Sequence, residues 1–163
     1  MSNVILKIGE EKLHVSKEYL SIHSPVFKTM FFGEFAEKGK GEVELKGVVY
    51  EEFLDLLNLI YFKMLKITDR TVVHILKLAD RFQMKDVIKL GTTYLIESKG
   101  IDIMTKLLVA GHYNLSDVKD HCLRSFNNAT ELLKLVQAFP ECDKFSSEMK
   151  VALFDRLKKL KLQ

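Results

Sequence analysis

Residues Leu13 to Glu37 read LHVSKEYLSIHSPVFKTMFFGEFAE, and the order of signals within them decides the fold. Leu13 and Val15 alternate around His14 as the end of a strand. Ser16 then offers a side-chain oxygen to the unpaired N–H groups at the start of a helix over Lys17–His23. Ser24 followed by Pro25 is a second start signal, a capping hydroxyl with proline at the first helical position, where a missing N–H removes no hydrogen bond. That helix is expected to end near Phe32-Gly33. Phe31, Phe32 and Phe35 follow within five residues, and no single helical face can bury all three. Phe31 is read as closing the second helix onto the sheet and Phe35 as exposed.

Working outward, Val4, Leu6 and Ile8 alternate, Gly9-Glu10 marks a turn, and Leu13 with Val15 alternates again. This is a β-hairpin with one buried face. Between Gly33 and Gly47 glycines punctuate the chain and only Glu42–Leu45 has the pattern of a strand. The period then changes to that of helices. Phe53, Leu56, Leu57, Ile60 and Tyr61 share one face; Val72, Ile75, Leu76, Ala79 and Phe82 share another; Val87, Leu90, Tyr94 and Leu95 a third. Residues 1–98 therefore read as an α+β arrangement in which helices cover a small sheet. Ser98-Lys99-Gly100 is a boundary, and residues 99–163 are helical in period throughout, through Ile103 and Leu107, Val118 and Cys122, Leu132 and Val136, Met149 and Leu153. Asn128 and Glu131 have capping-box spacing, and Pro140 closes a helix.

Of the 163 residues 47% are apolar, enough for a core, while the 29% that are charged nearly cancel to +3. That is too little positive charge for a nucleic-acid binder. Lys158, Lys159 and Lys161 read as the solvated last turn of a helix, where cations meet the negative end of its dipole. Cys122 and Cys142 are the only cysteines, and the Met-Ser-Asn-Val start has no secretory pattern, so no disulfide framework is expected and the chain is placed in the cytoplasm and/or nucleus. The apolar run from Phe53 to Leu65 is broken by Asp55, Asn58 and Lys63, so no membrane span is expected. Two N-x-[ST] sequons, at Asn114 and Asn128, read as helix caps. His112, His121 and Cys122 lack the paired spacing of a zinc site, and Cys122 shares an apolar face with Val118 and Phe126, so no metal is expected. No phosphate-cradling glycine loop or nucleophile motif occurs. The sequence indicates no enzyme and no cofactor.

These elements resemble a BTB/POZ domain. The resemblance rests on Val4-Ile5-Leu6, His14-Val15 and Lys17, on Ser24-Pro25-Val26-Phe27 and Met30-Phe31, on Val43-Glu44-Leu45, on Phe53-Leu54, Leu57 and Ile60-Tyr61, and on Leu78-Ala79-Asp80-Arg81-Phe82. It implies a BTB/POZ fold over 1–98 followed by a short, truncated BACK-like helical extension over 99–163, most similar to nematode-type MATH-BTB proteins. What it implies in function is a protein-interaction module acting as a substrate adaptor for a cullin-3 ubiquitin ligase. Phe35-Ala36-Glu37 coincides with the hydrophobic-x-Glu motif that BTB adaptors use on cullin-3. There Phe35 would supply desolvated area and Glu37 orientation. Tyr61, Phe62, His112 and Tyr113 are rim candidates by family analogy. His14 stands where the family keeps a histidine and is given a hydrogen-bonded structural role.

Three departures from the family pattern stand out. Asn3 replaces the aspartate that faces the basic residue after the His-containing strand, here Lys17; the helix that many relatives carry before the first strand finds no room ahead of Val4; and Ile60-Tyr61-Phe62-Lys63 lacks the usual Thr-Gly. Self-association is therefore expected through Val4, Lys17, Tyr19, Leu20 and Ile22 as a weak homodimer of roughly micromolar strength, about −8 kcal/mol. The alternative from another class is a self-associating scaffold of the transcription-regulator or channel-assembly type without ligase function, for which Phe35-Ala36-Glu37 is not required. A Skp1- or elongin-like subunit is a third, sharing the core fold but not this extension. The two regions use up the 163 residues, so no substrate-recognition domain is expected within them, and the substrate protein stays unknown.

Overall fold

The computed structural model describes residues 4–33, 41–62 and 66–161. The chain divides into two compact units, Met1–Gly91 and Thr92–Gln163.

In the first unit β1 (Val4–Ile8) and β2 (Glu11–Val15) form the antiparallel hairpin, and β3 (Glu42–Glu44) lies parallel to β1 on its other side. Gly9, at φ +61°, takes the first central position of the two-residue turn, a conformation that glycine adopts without the Cβ clash other residues meet. The alternation sorts the strand faces. Val4, Leu6 and Ile8 are buried, whereas Lys12 and Glu42 reach across the outer face of β1 to pair at 2.6 Å. This exposed pair, with Lys12 donating to the carboxylate, holds Glu42 below the usual carboxylate range.

Helix α1 (Lys17–His23) starts where expected, the Ser16 hydroxyl accepting from the Tyr19 N–H at 3.2 Å. Helix α2 (Pro25–Phe32) starts on Ser24, whose Oγ accepts from the Phe27 N–H at 3.0 Å and donates to the Phe82 carbonyl at 2.6 Å. That hydroxyl is fully buried. Helices α3 (Tyr50–Phe62) and α4 (Val72–Arg81) cover the sheet with α2. At the centre of this core Phe27 stacks on Phe82 at 4.5 Å and on Phe31 at 5.6 Å, with Phe53 edge-on at 6.2 Å. Arg81 donates to the carbonyls of Gly47 and Lys46, tying the end of α4 to the turn before α3.

Helix α5 (Lys85–Glu97) departs from expectation in one respect. Leu90, placed on the buried face from its spacing, is 52% exposed, and Gly91 is buried instead. A Cβ on Gly91 would lie 2.6 Å from Leu76 Cδ2, so the close approach of α4 selects the residue without a side chain and turns Leu90 outward.

The second unit holds α6 (Ile103–His112), α7 (Ser116–Ser125), α8 (Ala129–Ala138), a 3-10 turn at Cys142–Lys144 and α9 (Ser147–Lys161). Asn128 caps α8, its Oδ1 accepting from the N–H groups of Thr130 and Glu131. The core is built from Met104, Leu107, Val118, Cys122, Phe126, Leu132, Phe145, Met149 and Leu153. Lys106 is buried as well, 8% exposed, and its ammonium donates to the Ser98 carbonyl just beyond α5. A cation there faces the negative end of the α5 dipole.

Two helices end on non-glycine residues in the left-handed region. Gln83 (φ 52°) follows α4 and Asn114 (φ 54°) follows α6, with N–H bonds from Met84 to the Ala79 carbonyl and from Leu115 to the Ala110 carbonyl closing each end. Asn114 thus acts at a helix end, through its backbone. Gln83 is exposed, so its side chain gives little in return for the strained φ. Gln83→Gly should raise stability by about 0.5–1 kcal/mol, read as a higher urea midpoint; an unchanged or lower midpoint would show that the glutamine is not strained.

Candidate functional site

The residues proposed for partner contact fall into three groups, each placed by a different element. The first follows α2. Phe31 is buried and fixes the end of that helix, while Phe32, one position on, is rotated about 100° around the helix and is 53% exposed. Phe35 and Glu37 lie outside the described residues. The exposed ring that sequence reasoning left unassigned is Phe32. Its signal was adjacency to Phe31, since neighbours on a helix point about 100° apart and a narrow buried stripe takes only one of them.

The second group lies where α3 ends beside α1. Tyr61 stacks on Tyr19 with ring centres 4.3 Å apart, and its hydroxyl accepts from the Ser16 N–H at 3.2 Å. Tyr19 in turn donates to the Ile60 carbonyl at 2.5 Å and contacts the His23 ring at 4.8 Å. Burial, first of all, raises the Tyr61 phenol above its ordinary value, so it stays a neutral hydroxyl at physiological pH. Tyr61 is a half-buried seam between two helices. Phe62, the next residue, is 65% exposed.

The third group ends α6. His112 is exposed in the last turn and Tyr113 half-buried at the cap, their rings edge to face at 4.6 Å. They belong to the second unit and Tyr61 and Phe62 to the first.

The surface expected for self-association needs correction. Val4 is 2% and Leu20 0% exposed, because the inward phase of β1 and the inner face of α1 carry them into the core. Neither presents a surface. Ile22 does, at 78% exposure, with half-buried Tyr19 and Lys17 on the same short helix. His14 is exposed on the outer face of β2, opposite Ile5, with no hydrogen bond to another described residue, so the structural role expected of it is not seen among them. Asn3 lies outside the described residues.

No group of three metal-ligating side chains occurs among the described residues. Cys122 is 1% exposed on the inner face of α7, and burial raises its thiol above the ordinary value, while His112 and His121 are exposed. Among the described residues no helix is long and apolar enough to cross a membrane.

Comparison with known proteins gives a consistent answer. The family model for the BTB/POZ domain matches residues 1–99. Similar curated proteins include the "BTB and MATH domain-containing protein 38" of Caenorhabditis elegans, 36% identical over 97% of this chain and 41% of that protein. The "BTB and MATH domain-containing protein 36" of the same organism is 34% identical over 83% of this chain and 42% of its own length. The chain spans less than half the length of either relative. Among solved structures, the BTB domain of zebrafish PATZ1 superposes with a TM-score of 0.51 at 23% identity, covering 60% of this chain and 77% of that one. That likeness is one of fold.

Proposed function

The chain belongs to the BTB/POZ domain family, a family of protein-interaction modules, and we propose that it serves as a substrate adaptor for a cullin-3 ubiquitin ligase. The observation that carries this reading is the register of Phe35-Ala36-Glu37, which begins three residues after the end of α2, a helix pinned at its last turn by buried Phe31. A hydrophobic-x-Glu step leaving that helix end matches the grip of BTB adaptors on cullin-3. The exposed ring of Phe32 just before it would widen the apolar contact. In this reading Phe35 is the anchor and Glu37 the orienting charge. Phe62, His112, Tyr113 and the open part of Tyr61 are rim contacts, worth less because rim groups stay solvated. The names of the relatives pair this domain with a MATH domain, and we assign the chain the part of such a protein that meets the ligase.

A second role in self-association is supported by Ile22, which stands 78% exposed on α1 beside Tyr19. With Val4 and Leu20 in the core, this patch is smaller than the sequence suggested, in keeping with a weak homodimer.

Calorimetry with the amino-terminal domain of cullin-3 tests the main reading. Truncating a buried aromatic anchor costs ~2 kcal/mol or more, so Phe35→Ala should bind about 30-fold more weakly than the wild type. Glu37→Lys should weaken binding similarly and leave the melting temperature nearly unchanged. Equal affinities for all three proteins would remove the motif assignment and leave the self-associating scaffold as the better account.

A further inference from the structure

Helices α7 and α9 of the second unit border an open cleft of about 330 Å³. Its walls carry four cations, Lys119 and Arg124 from α7 and Arg156 and Lys159 from α9, against two carboxylates, Asp120 and Asp155. The cations are not equivalent. Arg156 is fixed into the wall, its guanidinium donating to the carbonyls of Phe126 and Arg124 where α7 ends. Asp155 is drawn along its own helix toward Lys158, at 3.9 Å. Lys119, Arg124 and Lys159 take part in no ion pair among the described residues, so the cleft keeps an excess of positive charge over its two carboxylates, Asp120 and Asp155. Between these charges, half-buried Leu123 and Ala152 give it an apolar lining.

We propose that this cleft is a docking site for an acidic, extended peptide segment of a partner protein, with carboxylates meeting Lys119, Arg124 and Lys159 and an aliphatic side chain resting on Leu123 and Ala152. Charge complementarity selects the occupant. Carboxylates spaced along a peptide can face the lysines and avoid Asp120 and Asp155, whereas the continuous phosphate chain of a nucleic acid would run past both acids. Like charges gathered on the walls of one cleft add their fields and raise the local potential above that of an isolated surface lysine, so a few such contacts can select a partner. The proposal stands apart from the cullin reading, because its residues lie on other elements than Phe35 and Glu37.

The test is fluorescence anisotropy of the full chain with a fluorescein-labelled nine-residue peptide, Asp-Glu-Leu repeated three times, at low salt. Saturable binding is expected with a dissociation constant on the order of tens of micromolar. The double variant Lys119→Glu with Lys159→Glu should weaken it at least tenfold, and Lys119→Gln with Lys159→Gln, which keeps the aliphatic stems, by a smaller factor. Lys85→Glu with Lys89→Glu on α5 changes the net charge equally and should leave binding within twofold of wild type. Circular dichroism establishes that each variant is folded. Absence of saturable binding, an equal loss in the α5 control, or equally tight binding of a thymidine oligonucleotide of the same charge would each overturn the proposal.

Discussion

Replacing Phe27 by alanine should destabilise the first unit by about 4 kcal/mol, the upper range for deleting a buried aromatic ring. The ring is fully buried and meets aromatic neighbours on several sides, stacked on Phe82 and Phe31 and edge-on to Phe53. Its removal forfeits the transfer free energy of the ring and the aromatic contacts, and leaves a void. Neighbours held by α3 and α4 can only partly fill that void. Small domains have about 5–15 kcal/mol in all, so the variant should be close to unfolding at physiological temperature. Urea denaturation followed by far-UV circular dichroism measures the loss, and Phe32→Ala is the internal control. Phe32 is 53% exposed only five positions along the same helix and should cost under about 1 kcal/mol. Similar losses for the two would mean that the aromatic cluster does not organise this core.

The contrast between Phe27 and Phe32 shows what the sequence makes legible. Local signals carried through: the alternation of Val4, Leu6 and Ile8 gave the buried face of β1, and Ser16, Ser24-Pro25 and Asn128 marked helix starts that the structure keeps. Each depends on neighbours within four residues. The BTB/POZ resemblance, which needs many such signals in order, was legible for the same reason.

What was missed depends on distant approach. Leu90 has the right spacing for the core, but the deciding fact is that the Leu76 side chain of α4 packs onto Gly91, where a Cβ would lie 2.6 Å from it. Val4 and Leu20 are apolar in sequence whether they face a partner or the core, and only the packing of α1 against the sheet decides between the two. Lys106 would be read as solvated from its charge alone; its partner is a backbone carbonyl at the end of another helix. The candidate site divides along the same line. The register of Phe35 and Glu37 is visible in sequence, whereas the embedding of Tyr61 against Tyr19 and Ser16, across 45 residues, is not.

Ser24→Ala should be the most damaging polar substitution in the first unit, at about 3 kcal/mol. Two losses combine. As the cap of α2 its oxygen accepts from the Phe27 N–H, and alanine at such a position typically costs about 1 kcal/mol. Its hydroxyl also donates to the Phe82 carbonyl at 2.6 Å from a site with no solvent exposure, so alanine leaves that acceptor without this partner, a penalty of about 1–3 kcal/mol. Ser16→Ala separates the two contributions. Ser16 caps α1 in the same way, through the Tyr19 N–H, but it is only half-buried and its hydroxyl donates to the exposed Glu18 carboxylate. Its replacement should therefore cost about 1 kcal/mol, the capping contribution alone. The difference between the variants, measured as the shift in urea midpoint at constant slope, isolates the bond that joins the start of α2 to the end of α4. A difference below about 0.5 kcal/mol would show that the Phe82 carbonyl finds another donor and that this bond does not hold the two helices together.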